Sequence, residues 1–189
     1  MLLKKRVCAI FLWILAVPVL AQKELVFTHQ DTLRGTITAE REWWDLTYYH
    51  LNVKVNPGDS TISGSNLIAY KVLKPGLTMQ IDLQQPMEIK SVSQNGVQLN
   101  FKRDGNAWFV ALKQPQTKGE TKELLVEYSG KPKVSKRPPW DGGISWKKDE
   151  KGRPFIVNTS QGDGASLWWP CKDHPYDEPD SMLISVTFP

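Results

Sequence analysis

Tyr48-Tyr49-His50-Leu51-Asn52-Val53-Lys54-Val55-Asn56-Pro57-Gly58-Asp59 decides the fold class. Tyr49, Leu51, Val53 and Val55 would share one face of an extended strand, with Tyr48, His50, Asn52 and Lys54 on the other. Asn56-Pro57-Gly58-Asp59 then reads as a turn, and a second strand is expected from about Thr61 to Val72. Working outward, Lys74-Pro75-Gly76 turns the chain again, and Met79, Ile81 and Leu83 alternate with polar residues. Ile89 to Ser93, Asn95-Gly96, and Val97, Leu99 and Phe101 read as a hairpin with a tight turn. Asp104-Gly105 leads to Trp108, Val110 and Leu112, and Leu124, Val126 and Tyr128 mark a further strand. Short strands at regular spacing, with no stretch that supports a long amphipathic helix, predict an all-β domain, an antiparallel β-sandwich or saddle-like fold.

Two regions interrupt this rhythm. Residues Lys131 to Pro154 contain Pro132, Pro138, Pro139, Gly142, Gly143, Gly152 and Pro154, with Trp140 and Trp146 among them. A loop this long is either functional or an insertion packed over the sheet. The second region, Ser160 to Asp180, combines glycines, prolines and acidic residues.

Lys4, Lys5 and Arg6 precede an apolar run from Val7 to Leu20, and a small residue, Ala21, follows it. That pattern suits a secretory signal peptide over 1–21 better than a membrane span, and it predicts an exported protein, periplasmic or extracellular. Residues 22–44 then form an N-terminal leader and 45–189 the β-domain. The chain carries 24 basic and 20 acidic residues; removing Lys4, Lys5 and Arg6 leaves 21 against 20, a net charge of +1. No nucleic-acid footprint remains, because the densest basic group, Lys131, Lys133, Lys136 and Arg137, is interrupted by prolines. Beyond the signal segment the only cysteine is Cys171, so an internal disulfide is excluded and a packed core must hold the fold. Such a cysteine reads as a small buried hydrophobe unless Lys172 or His174 favours its thiolate.

The stretch Trp168-Trp169-Pro170-Cys171-Lys172-Asp173-His174-Pro175 precedes a final apolar strand ending at Pro189. It resembles the turn that closes the N-terminal β-domain in the aminopeptidase N family of zinc metallopeptidases. Asp31-Thr32-Leu33-Arg34-Gly35 and Arg41-Glu42-Trp43-Trp44-Asp45 are similar to the leader of secreted bacterial members. Tyr49-x-Leu51-x-Val53 followed by Gly64 resembles the family's first hairpin. The resemblance implies a non-catalytic domain that frames a peptide-binding cleft. Pro170, Asp173 and Pro175 would build the structural turn, and Gln161, twelve residues before Asp173, would help hold the substrate's N-terminal amine. Asp163 is the alternative for that role, and a polar loop residue is the other reading of Gln161. A carboxamide oxygen accepts hydrogen bonds from an ammonium group without contributing a full charge.

The family's chemistry needs His-Glu-x-x-His and Gly-x-Met-Glu-Asn, and neither occurs; the histidines are His29, His50 and His174. No catalytic residue, metal ligand or cofactor is therefore assigned to this chain. The resemblance places zinc in a catalytic domain expected after Pro189, so the chain reads as a fragment whose partners are a peptide N-terminus and that domain. Asp173, Asp177, Glu178 and Asp180 match no calcium-loop pattern and read as a solvated turn. Trp43, Trp44, Trp140, Trp146, Trp168 and Trp169 admit a second class, a stand-alone module binding carbohydrate or protein. Core and domain interface are the competing places for those rings, since adjacent tryptophans on a strand face opposite ways.

Overall fold

The computed structural model describes residues 26–188; the expected signal segment and the first residues of the leader lie outside them. Helix α1 (His29–Gly35) is followed by β1 (Trp44–Asn56), β2 (Thr61–Val72), β3 (Thr78–Asp82), β4 (Glu88–Gln94), β5 (Val97–Gln98) and β6 (Asn100–Asp104). Then come β7 (Ala107–Ala111), β8 (Thr121–Gly130), β9 (Gly143–Lys148), β10 (Pro154–Thr159), a 3-10 turn at Ala165–Leu167 and β11 (Ser181–Thr187). A six-stranded sheet runs β11-β1-β2-β8-β4-β5, a three-stranded sheet β3-β7-β6, and a separate hairpin β10-β9. The fold is all-β, as the alternation predicts. Among the described residues its strand pairings are antiparallel except β1 with β11, which is parallel; an isolated parallel bridge also joins Val134 to Ile144.

One apolar core joins the two larger sheets. Tyr49, Leu51, Val53 and Val55 of β1 and Leu124, Val126 and Tyr128 of β8 enter it from one side; Met79, Ile81, Trp108 and Val110 enter from the other. A bulge between Leu46 and Tyr48 resets the phase, so Trp44 and Leu46 are also buried. Gly64 lets β2 cross close to β1, for a Cβ there would stand 1.9 Å from the Asn52 carbonyl oxygen. Asn95 (φ 51°) and Gly96 (φ 76°) form the left-handed turn between β4 and β5. The expected single strand Val97–Phe101 divides at Leu99, where the chain passes from the six-stranded sheet to the three-stranded one. The region Lys131 to Pro154 is not all loop: β9 begins within it and pairs with β10 from Gly143↔Thr159 to Lys148↔Pro154.

The polar face of β3 meets the leader rather than water. Arg41 is fully buried and donates from Nη1 to the carbonyl oxygens of Leu33 (2.7 Å), Thr36 (2.9 Å) and Arg34 (3.2 Å), closing the end of α1. Its Nη2 donates to Asp82 Oδ2 at 2.6 Å. Gln80 Nε2 donates to Asp82 Oδ1 at 2.9 Å, and Thr38 Oγ1 donates to Gln80 Oε1 at 2.7 Å. Burial pushes the Asp82 carboxyl above its ordinary value; Arg41 and the hydrogen bonds from Asp173 and Gln80 oppose that push. Trp43 and Trp44 then flank Tyr70 edge-on, each with ring centroids 5.7 Å away. Arg41, Trp43 and Trp44 thus fasten the leader to the sandwich, although α1 buries none of its own residues.

Truncating one partner of a buried ion pair strands the other. Arg41→Ala should lower unfolding free energy in urea by about 3–5 kcal/mol. Pairing it with Asp82→Asn should cost clearly less than the sum of the single changes.

Asp141 fastens the segment before β9. Its carboxylate accepts from Ser135 Oγ (2.6 Å), Lys136 N (2.6 Å) and Arg137 N (2.7 Å), which hold its pKa down at about 2. Because the folded value is depressed, this contribution is complete above the ordinary carboxylate value near 3.8 and fades as pH falls toward about 2. The Lys136 and Arg137 amide resonances should shift with a midpoint at about 2 in wild type, and Asp141→Asn should abolish that titration.

Candidate functional site

The turn from Trp168 to Asp173 lies across the end of the sandwich and is fixed residue by residue. Trp169 stacks edge-on against Tyr49, with ring centroids 5.0 Å apart. The Pro170 carbonyl accepts from Asn66 Nδ2 at 2.9 Å. Cys171 and Asp82 exchange backbone hydrogen bonds of 2.8 and 3.1 Å, which stitches the turn to the end of β3. Lys172 N donates to Tyr49 Oη at 2.8 Å. Asp173 N donates to Asp82 Oδ2 at 2.9 Å, so one carboxylate secures both the leader and the turn.

Lys172 is a buried cation. Its Nζ donates to the Trp44 carbonyl at 2.6 Å, pairs with Asp177, and stands 4.0 Å from the Trp44 ring centroid and 4.7 Å from that of Tyr176. Burial lowers its pKa, and Asp177 opposes that shift. Lys172 is therefore committed to Asp177 and Trp44. Burial pushes the Cys171 thiol well up, and the carboxylates of Asp173 and Asp82 add to the shift. Cys171 is accordingly a core residue without nucleophilic character.

Asp173 accepts from Ser166 Oγ at 2.5 Å and Ser166 N at 3.3 Å, holding the 3-10 turn that follows the Gln161–Gly164 loop. Gly164 (φ 83°) gives the carboxylate room, since a Cβ would lie 2.1 Å from Asp173 Oδ2. Pro175 is exposed beyond the turn. Gln161 is also exposed, at the start of its loop. The loop is clamped despite its two glycines: Arg34 Nη2 donates to the Gly162 carbonyl at 2.7 Å, and Gln84 Nε2 to that of Asp163 at 2.5 Å. The Asp163 carboxylate pairs with Lys133 at 2.7 Å. Gln161 thus presents a solvent-facing carboxamide, whereas Asp163 is occupied in holding its loop. Arg34, Gln84 and Lys133 carry no local sequence signal for this task; only the fold brings them to the loop.

Among the described residues no cluster of His, Cys, Asp and Glu could hold a metal ion. The histidines are dispersed: His29 bonds Asp104 at 2.8 Å, His50 meets Ser185 at 3.3 Å, and His174 meets the Gly35 carbonyl at 3.3 Å. They do not fit a zinc site. Asp173 and Asp177 also diverge, one to Ser166 and the other to Lys172 and Leu46 N. Among the described residues the tryptophans form no shared platform: Trp43, Trp44, Trp108 and Trp169 are buried, Trp146 and Trp168 pack against the core, and Trp140 is exposed.

Sheet order, core and turn define a β-rich domain of the kind found in M1 zinc metallopeptidases. The crystal structure of the M1 zinc metallopeptidase from Deinococcus radiodurans superposes with a TM-score of 0.64 and 25% identity, covering 78% of this chain and 33% of that one. A mutant of that enzyme bound to a Tyr-Ser-Ala substrate gives a TM-score of 0.64 at 24% identity, over 79% of this chain and 34% of the other. The leukotriene A4 hydrolase of Saccharomyces cerevisiae shares the fold alone, with a TM-score of 0.60, 18% identity and coverage of 77% and 23%. This chain spans about a third of the length of the Deinococcus enzyme. No protein-family model and no curated protein matches the sequence. The resemblance to the N-terminal β-domain of the aminopeptidase N family is borne out in three dimensions.

Cys171 should resist aqueous thiol reagents in the native protein and react on unfolding in guanidinium. A stoichiometric fast reaction of the folded protein would contradict the assignment.

Proposed function

We propose that this chain is the non-catalytic β-domain of an exported zinc-dependent aminopeptidase-like protein, framing the peptide cleft beside a zinc-bearing catalytic domain. The observation that carries the reading is the unfinished side of the sandwich. Met182, Ile184 and Val186 of β11 lie in register with Tyr49, Leu51 and Val53, on the face that is core everywhere else in β1. Yet Ile184 is 54% exposed, and β11 packs chiefly beside β1. Val186 and Phe188 continue this face into an apolar pocket with Val53, Val55, Trp146 and Trp168. An apolar strand left open in this way suits a packed partner domain.

In that arrangement Gln161 would accept a hydrogen bond from the substrate's terminal ammonium, while Asp163, Arg34 and Gln84 hold its loop. Zinc and its activated water would belong to the catalytic domain. The exported, periplasmic or extracellular setting follows the basic and apolar start of the sequence.

The test is complementation. The chain is co-expressed with the zinc-bearing portion of an M1 metallopeptidase deprived of its own β-domain, and hydrolysis of an aminoacyl-coumarin amide is followed. Co-purification and restored hydrolysis are expected. Ile184→Asp should abolish association; Gln161→Ala should preserve it and raise KM roughly tenfold, the loss of one charge-assisted hydrogen bond of about 1.5 kcal/mol. Failure of both association and hydrolysis would sink the proposal.

A further inference from the structure

The loop before β9 carries a feature that the cleft-framing role does not use. Lys136, Arg137, Pro138, Pro139 and Trp140 are all exposed, and Trp140 is 85% exposed, the largest value for any aromatic side chain among the described residues. The loop is nevertheless tightly fastened. The Asp141 carboxylate closes it through Ser135, Lys136 and Arg137, and Trp140 N donates to the Arg137 carbonyl at 2.8 Å. Thr159 Oγ1 donates to the Asp141 carbonyl at 2.9 Å, tying the closure to β10. An indole is thus held in water by a pre-ordered loop, which loses little conformational freedom on binding.

Its charged neighbours are also uncommitted. Lys133 pairs with Asp163, but Lys131, Lys136 and Arg137 form no ion pair among the described residues. The attached hairpin repeats the combination: Phe155 and Val157 are exposed on one face of β10, and Lys147 pairs opposite Phe155. A single ring offers no stacked platform for a sugar chain. An indole suits the boundary between headgroups and acyl chains, and adjacent cations suit phosphate. We infer that the Lys136–Trp140 loop docks this domain on an anionic phospholipid surface, with Trp140 entering the interface and Lys131, Lys136 and Arg137 meeting lipid phosphates.

The test is sedimentation of the purified protein with phosphatidylcholine vesicles containing increasing phosphatidylglycerol. Partitioning should rise with the anionic fraction and fall with added salt. K136E/R137E should reduce it by more than about tenfold, and Trp140→Ala by about fivefold, at unchanged thermal stability because these side chains are exposed. Trp140→Phe should still sediment but lose the vesicle-dependent blue shift of tryptophan fluorescence. Equal partitioning onto pure phosphatidylcholine, no partitioning onto anionic vesicles, or an unchanged blue shift in Trp140→Phe would each overturn the inference. Binding to a soluble acidic polysaccharide without vesicle binding would overturn it as well.

Discussion

The carboxylate of Asp82 is the point on which three separate parts of the chain converge. Arg41 reaches it from the leader, Gln80 from its own strand and Asp173 N from the turn before the last strand. Without that anchor, α1 would lack its C-terminal closure and the turn would lose a contact to β3. The arrangement is costly in desolvation, since guanidinium and carboxylate are both removed from water. Its gain is geometric, because the full set of bonds exists in only one placement of leader, sheet and turn.

The same economy governs the candidate loop. Gln161 precedes two glycines with positive φ, a composition that would ordinarily favour mobility. Arg34, Gln84, Lys133 and Asp173 remove that freedom from different directions. In the proposed role such fastening is an advantage, for an ordered acceptor need not be ordered again on binding. Asp163 illustrates the division of labour, its charge paired with Lys133 to hold the scaffold.

Much of this was legible in the residues themselves. The alternation Tyr49, Leu51, Val53, Val55 marks β1 and its buried face, and Asn95-Gly96 marks the turn between β4 and β5, because both signals are local. Gln80 and Asp82 defeat the same logic: they alternate as surface residues should, but the leader covers them, with Arg41 lying 41 residues before Asp82 and Thr38 lying 42 before Gln80. Leu99 and Phe101 kept the strand rhythm although the chain changes sheet between them, since both sheets face one core. The β9–β10 hairpin is masked in the sequence because its glycines, prolines and lysines dilute the period-two pattern; Asp141 fastens its approach, and at its tip Asp149 Oδ1 accepts from Lys151 N and Arg153 N at 2.9 Å each. Only the resemblance to a family singles out Gln161; its exposure and the clamping of its loop are properties of the fold.

The parallel pairing of β1 with β11 has a consequence for how the domain is made. Tyr48 is partnered by Ser181 and Lys54 by Thr187, so the earliest strand waits for the latest. Hairpins such as β1–β2 and β6–β7 join neighbours and can form while the polypeptide is still emerging. The flank of β1 cannot be satisfied until nearly the whole domain has been synthesised, and long-range closures of this sort are the slow ones. During that interval a strand with free backbone donors and acceptors stands open beside an apolar face. A chaperone that shields this flank would thus protect the domain at its most vulnerable stage.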